Sequence, residues 1–185
     1  MTSGMDKVTE FEQALTPEAY KAAWRYAWRL ADCREDAEDL LQESLVNALK
    51  AFHQLRDRSS FKAWLLSIVR RNHLVHLRRR QSGIRALTSQ LEGGGGQLAD
   101  ISTTDTKDPL AEELAVAIGQ LPGPQREILS LFYFEGLNLK ETAKVLGTSV
   151  NAVTQRLHRA RTALRNLAKQ GGGLTAATCH IRGDL

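Results

Sequence analysis

The chain has 185 residues, 42% of them hydrophobic and 25% charged, with a mean hydropathy of −0.32; this is the composition of a folded globular protein with one ordinary domain or two small ones, and it excludes wholesale disorder. No stretch approaches the roughly 20 apolar residues of a membrane helix, and Met1 to Glu10 lacks the basic-then-apolar layout of a secretory leader. The chain is therefore expected to stay in the cytoplasm with no membrane partner, and its net charge of +4 and pI near 9.3 point weakly to a polyanion.

From the N-terminus, residues 1–50 carry six basic and ten acidic side chains, and Pro17 to Arg80 contains no other proline and only helix-compatible patterns. Within it Leu41, Leu45, Ala48 and Phe52 recur at helical spacing and predict one buried stripe. Asp39, Gln42, Glu43 and Val46 fall on another face of the same helix, a mixed acidic and apolar surface suited to a protein partner. The charge then reverses: residues 51–85 hold nine basic side chains against one acidic. A second helix is expected from about Phe61, anchored by Trp64, Leu65, Ile68, Leu74 and Leu77 and carrying Arg70, Arg71 and the run Arg78-Arg79-Arg80. Guanidinium groups bind phosphates bidentately and stack on bases, so this helix and the preceding loop, Leu55 to Ser60, are candidates to grip separated DNA strands.

Gly93 to Gly96 lies in a Gly-, Ser-, Thr- and Asp-rich stretch without periodicity, which predicts a linker over 81–108. Residues 86–135 are again acidic, two basic to eight acidic, and residues 136–185 again basic, eight to two. Two separated basic blocks, each behind an acidic one, suit a protein that touches nucleic acid at two places and another protein elsewhere. The segment from Pro109 is helical in pattern, broken at Leu121-Pro122-Gly123-Pro124 and near Gly136 and Gly147. A short helix over Leu137 to Leu146, a turn at Gly147 and a second helix opening at Val150 behind an N-capping Ser149 make a helix-turn-helix pattern. In the second helix Val153, Leu157, Ala160, Leu164 and Leu167 form the apolar stripe, leaving Asn151, Thr154, Gln155, His158, Arg159 and Arg161 on other faces. Asn and Gln can read adenine bidentately, and arginines suit guanine or phosphate. An ordinary helical hairpin with a solvated basic face would share this pattern.

Cys33 and Cys179 are distant in sequence and show no CxxC spacing, so both read as reduced thiols. Cys179-His180 offers two ligands where a structural zinc site needs four, and no metal or cofactor is expected. The five histidines and scattered carboxylates form no nucleophile, base or metal constellation, so no catalytic residue and no enzyme are expected.

The residues that carry most information resemble a family. Asp36-Ala37-Glu38-Asp39-Leu40-Leu41-Gln42-Glu43, then Phe52 and Ser59-Ser60-Phe61-Lys62-Ala63-Trp64-Leu65, look like the second conserved region of extracytoplasmic-function sigma factors of bacterial RNA polymerase. Leu121-Pro122-Gly123-Pro124-Gln125-Arg126-Glu127, Glu135-Gly136-Leu137, Lys140-Glu141-Thr142-Ala143, Leu146-Gly147 and Arg156-Leu157-His158-Arg159-Ala160-Arg161 look like the fourth. The resemblance implies an all-α protein of two small helical domains: region 2 over 1–80, region 4 over 109–170, and a flexible tail over 171–185. It implies a subunit that binds core polymerase and recognises the -10 and -35 promoter elements. By this resemblance Asp39, Gln42, Glu43 and Val46 would dock on the clamp helices of the largest polymerase subunit, with the second-largest subunit's flap as a further contact. Arg56, Ser59, Ser60, Lys62, Trp64, Arg70, Arg71, Arg78 and Arg79 would serve the -10 element, the loop before the helix holding a flipped base. Ser149, Asn151, Thr154, Gln155, Arg156, His158, Arg159 and Arg161 would serve the -35 element, Arg156 and Arg161 as phosphate contacts. An anti-sigma factor is a further partner the resemblance implies. Thr154 stands where the family commonly has Lys or Arg, Gln155 where a Ser is common, and Arg71 where Asn is frequent, with Asn72 next to it. A free-standing helix-turn-helix regulator would share the C-terminal pattern but has no use for the match at Asp36 to Glu43.

Overall fold

The computed structural model describes residues 4–87, 117–118 and 120–171, and every regular element among them is helical. The chain splits into two compact units with the principal boundary between Ala99 and Asp100.

The first unit contains α1 (Gly4–Ala14), α2 (Pro17–Leu30), α3 (Arg34–Ala51) and α4 (Phe61–Leu87), with short 3-10 turns at Phe52–Gln54 and Arg58–Ser60. Local chemistry sets the start of α2: Thr16 is extended, its hydroxyl accepts from Ala19 N at 3.2 Å, and Pro17 supplies a preset φ in the first turn. The buried face of α2 is Ala19, Ala22, Ala23, Tyr26 and Ala27, mostly small side chains that allow close approach of its neighbours. Against it lie Ala37, Leu40, Leu41 and Ala48 of α3 and Leu65, Leu66, Ile68 and Val69 of α4, each at most 4% exposed. Burying a Leu, Ile or Val side chain of this kind contributes about 1.5–3 kcal/mol. The predicted stripe on α3 is thus core, with Leu45 half-buried at its edge.

Two features of this unit were not legible as periodicity. α1 delivers Phe11 into an aromatic cluster, edge-on to Phe52 at 5.3 Å and to Phe61 at 5.8 Å, with Trp64 tilted against Phe61 at 5.8 Å. Between α3 and α4 a buried polar chain replaces apolar packing: Asn72 Nδ2 donates to Ser44 Oγ at 3.1 Å, and Ser44 Oγ donates to Leu40 O at 2.6 Å. α4 also runs seven residues past the expected boundary at Arg80, since nothing between Gln81 and Leu87 stops a helix except Gly83. The remainder of the expected linker, and the expected tail apart from Gly171, lie outside the described residues.

The second unit contains α5 (Gly123–Leu129), which widens into a π turn over Ser130–Phe134, then the greater part of α6 (Leu139–Leu146), and α7 (Val150–Gly171). Its buried apolar residues include Ile128, Leu129, Leu131, Leu137, Val153, Leu157, Ala160 and Leu164. α6 begins at Leu139, two residues later than the apolar pattern predicts, because Asn138 caps it: Asn138 Oδ1 accepts from Glu141 N at 3.0 Å and Glu141 Oε2 accepts from Asn138 N at 2.9 Å.

Candidate nucleic-acid interface

The turn between α6 and α7 is built by backbone chemistry. Gly147 has φ +61, Gly147 N donates to Lys144 O at 3.3 Å and Thr148 N to Ala143 O at 3.0 Å, the two bonds of a Schellman closure. Ser149 Oγ then accepts from Ala152 N at 3.2 Å, so the predicted cap is present. These bonds start α7 in a defined direction, with Asn151, Thr154, Gln155, Arg156, His158 and Arg159 all exposed opposite the buried stripe. Thr154 differs from its exposed neighbours in that its hydroxyl donates back to Val150 O at 3.1 Å. Arg161 is half-buried, and its Nε donates to Tyr133 Oη at 2.8 Å.

In the first unit the loop before α4 is organised around Asp57, a residue that sequence reasoning passed over. Its carboxylate accepts from Ser59 N at 3.0 Å, Ser59 Oγ at 2.7 Å and Ser60 Oγ at 2.7 Å. The Ser59 hydroxyl, then the Ser60 hydroxyl and the Ser59 N–H, hold the Asp57 carboxyl below its ordinary range. The signal was present as an Asp two and three residues ahead of serines, the pattern of a local side-chain-capped turn. Arg58 is exposed but engaged: its guanidinium lies 3.7 Å from the Phe52 ring centre, donates to Phe52 O at 3.3 Å and pairs with Glu10 at 3.1 Å. Arg56 and Ser59 stay exposed, and Ser60 is half-buried.

Along α4 the arginines divide. Arg71, Arg78 and Arg79 are exposed with no ion pair among the described residues, whereas Lys62 and Arg70 are half-buried and engaged. Arg80 bridges Asp32 at 2.6 Å and Asp36 at 2.5 Å, and this guanidinium holds the Asp36 carboxyl below its ordinary range. Trp64 is half-buried in the aromatic cluster, and Asn72 points into the core. On α3, Asp39, Gln42 and Val46 are exposed, Val46 by 50%, while Glu43 is half-buried and bonded to His76 Nε2 at 2.5 Å. Among the described residues no three His, Cys, Asp or Glu side chains gather as metal ligands, and no helix is long and apolar enough to cross a membrane.

Comparisons with known proteins follow the same division. Residues 18–83 match the family model for sigma-70 region 2, and residues 111–164 match that for sigma-70 region 4. Among relatives, the RNA polymerase sigma-H factor of Pseudomonas aeruginosa is 33% identical over 138 residues, 70% of this chain and 72% of that protein. The ECF RNA polymerase sigma factor SigL of Mycobacterium tuberculosis is 30% identical over 166 residues, 88% of this chain and 91% of SigL. Among solved structures, the sigma factor RpoE of Bartonella quintana, in complex with the anti-sigma factor NepR, superposes with a TM-score of 0.65 at 26% identity, covering 86% of this chain and 97% of that one. CnrH, solved with the cytosolic domain of CnrY, gives a TM-score of 0.57 at 25% identity, covering 86% of this chain and 88% of that one.

Proposed function

Because the chain belongs to the extracytoplasmic-function sigma factors, we propose that it joins core RNA polymerase and directs initiation by holding two promoter elements at once. In this reading it acts by binding and not by catalysis, on promoter DNA in the cytoplasm. The observation that carries the reading is the exposed face of α7, where Asn151, Gln155, His158 and Arg159 stand clear of any core contact behind a capped, left-handed turn. In this reading the face enters the major groove of the -35 element and those side chains meet base edges.

In this reading the division of labour is region 2 in residues 1–80, a linker over 81–108 whose first seven residues continue α4, region 4 in residues 109–170 and a tail over 171–185. Asp39, Gln42 and Val46, with Glu43 held by His76, supply a mixed acidic and apolar docking surface for the clamp helices of the largest subunit. The flap of the second-largest subunit is the further contact. The turn around Asp57 offers Arg56, Ser59 and Ser60 to the -10 element, and Arg71, Arg78 and Arg79 follow the opening strands as cations without intramolecular ion pairs among the described residues. Lys62, Trp64 and Arg70 support this surface from half-buried positions, while Ser149 serves α7 as its cap and Arg156 meets backbone phosphate. Two weak DNA contacts joined in one complex reinforce each other through effective concentration. An anti-sigma protein covering these surfaces would silence the factor, as suggested by the complex of the Bartonella quintana relative with the anti-sigma factor NepR. A free-standing regulator leaves the region 2 match without a role.

The experiment is run-off transcription from a promoter library with sigma-free core polymerase, with and without the protein. Protein-dependent transcripts from a subset of promoters are expected. Binding to DNA with no protein-dependent transcript from several cores would overturn the reading.

A further inference from the structure

The half-buried Arg161 is held in an unusual way for a surface cation. Its Nε donates to Tyr133 Oη at 2.8 Å, and its guanidinium carbon lies 5.6 Å from the Tyr133 ring centre and 5.8 Å from that of Phe132. The two rings brace each other edge-on at 5.2 Å. This aromatic seat belongs to the π turn over Ser130–Phe134, whose wider winding presents Tyr133 at the surface, 42% exposed, beside α7. The Nε bond leaves both terminal nitrogens of Arg161 without a hydrogen-bond partner among the described residues. A guanidinium fixed by its Nε and ring plane keeps the fork with which arginine meets a phosphate.

The position of Arg161 on α7 matches that use. Seven residues separate it from Thr154, so it faces the same way but lies about 10 Å further along the axis. With the N-terminal turns of α7 at the base edges of the major groove, a side chain two turns further along the helix is placed to meet the phosphates that border the groove. The geometry points to Tyr133 as a positioning residue that pre-orders Arg161 as a clamp on one phosphate of the distal promoter element. This rests on the reading of α7 given above and adds a second residue, from a different helical segment, to its DNA contact. The advantage is entropic: an arginine already ordered loses less freedom on binding than one that must be immobilised there.

The test uses holoenzyme assembled with the full chain, bound to duplexes that carry the distal element alone, over a range of KCl concentrations. Tyr133→Phe, which keeps the ring and removes the hydroxyl, is expected to weaken binding about three- to tenfold. Arg161→Ala should lower the steepness of the log affinity against log salt plot by about 0.9, the contribution of one phosphate. Adding Tyr133→Phe to Arg161→Ala should cause no further loss, with thermal unfolding of each variant showing that the fold is kept. Tyr133→Phe binding as well as or better than the parent would overturn the assignment, the latter because the tyrosine would then be withholding the arginine. So would an unchanged salt dependence in Arg161→Ala, or a Tyr133→Phe loss that persists in full without Arg161. Equal affinity of the parent for a scrambled duplex would instead refute base reading by α7, and the salt dependence and double variant on that duplex would still decide the phosphate clamp.

Discussion

Gly147 joins the two helices of the DNA-reading motif, and replacing it separates two causes of glycine preference. A Cβ built there meets no atom within 4 Å, so a side chain has room, yet its φ of +61 is one that L-residues other than Asn and Asp rarely adopt. Gly147→Ala therefore carries backbone strain of about 1–2 kcal/mol. Alanine also narrows the unfolded ensemble, which returns about 0.4–1 kcal/mol. The net loss is about 1 kcal/mol, and at about 4–8 °C per kcal/mol for a unit of this size the second unit should melt about 5 °C lower. Gly147→Asn should cost less than half of that, because asparagine visits the left-handed region with little penalty. The assay is amide hydrogen exchange in the full chain, following α6 and α7, with distal-element binding measured in parallel. Stability in the order Gly, Asn, Ala is expected. An alanine variant as stable as the parent, or an asparagine variant worse than the alanine, would refute the argument, since room and not backbone hand would then set the cost.

Three further outcomes are expected. Asn72→Ala removes the donor to Ser44 and the acceptor for Asn47 in a nearly buried site, and should cost about 1–3 kcal/mol in urea unfolding, partly recovered in the Ser44→Ala, Asn72→Ala double variant. The folded Asp36 carboxyl titrates below its unfolded value, so its pairing with Arg80 stabilises above the unfolded carboxylate pKa, near 4, and is lost as pH falls through the lower folded value. Both side chains are more than a third exposed, so the pair contributes only modestly, and Arg80→Met, which also gives up the exposed pair with Asp32, should remove about 0.5–1 kcal/mol in all at pH 7 but progressively less as a stability titration runs below pH 4. Arg58→Leu gives up the contact over Phe52 and the pair with Glu10, and should cost about 0.5–1.5 kcal/mol. If the Asp57 turn serves the -10 element, the same variant slows strand opening, read by 2-aminopurine fluorescence, and a pre-melted template restores it.

What lay in the sequence was what depends on near neighbours. The stripes Leu41-Leu45-Ala48-Phe52 and Val153-Leu157-Ala160-Leu164-Leu167, the glycine turn at 147 and the cap at Ser149 all follow from spacings of at most a few residues, and all appear in the fold, with Leu45 and Leu167 half-buried where the others are buried. Helical period and turn chemistry are local properties, so an all-helical protein with a helix-turn-helix could be read before any coordinates. α1 was not legible, because its one deeply buried aromatic, Phe11, becomes core only through rings at Phe52 and Phe61, more than 40 residues away.

The candidate site shows the same limit. Nine basic residues between 51 and 85 are equivalent as sequence, yet the fold sets Arg58 against Phe52 and Glu10 and Arg80 against Asp32 and Asp36, while Arg71, Arg78 and Arg79 are left without an ion pair among the described residues. Glu43 belongs by pattern to an open acidic face, but His76, 33 positions later, occupies its carboxylate. Arg161 is one basic residue among several until the π turn brings Tyr133 to its Nε. The sequence by itself determined which helices form and which face of each is apolar, since those depend on spacing. Only the tertiary structure decided which charges are engaged within the chain and which stand without a partner toward DNA or polymerase, because an ion pair forms only with what the folded chain brings within about 4 Å, and sequence spacing does not encode that distance.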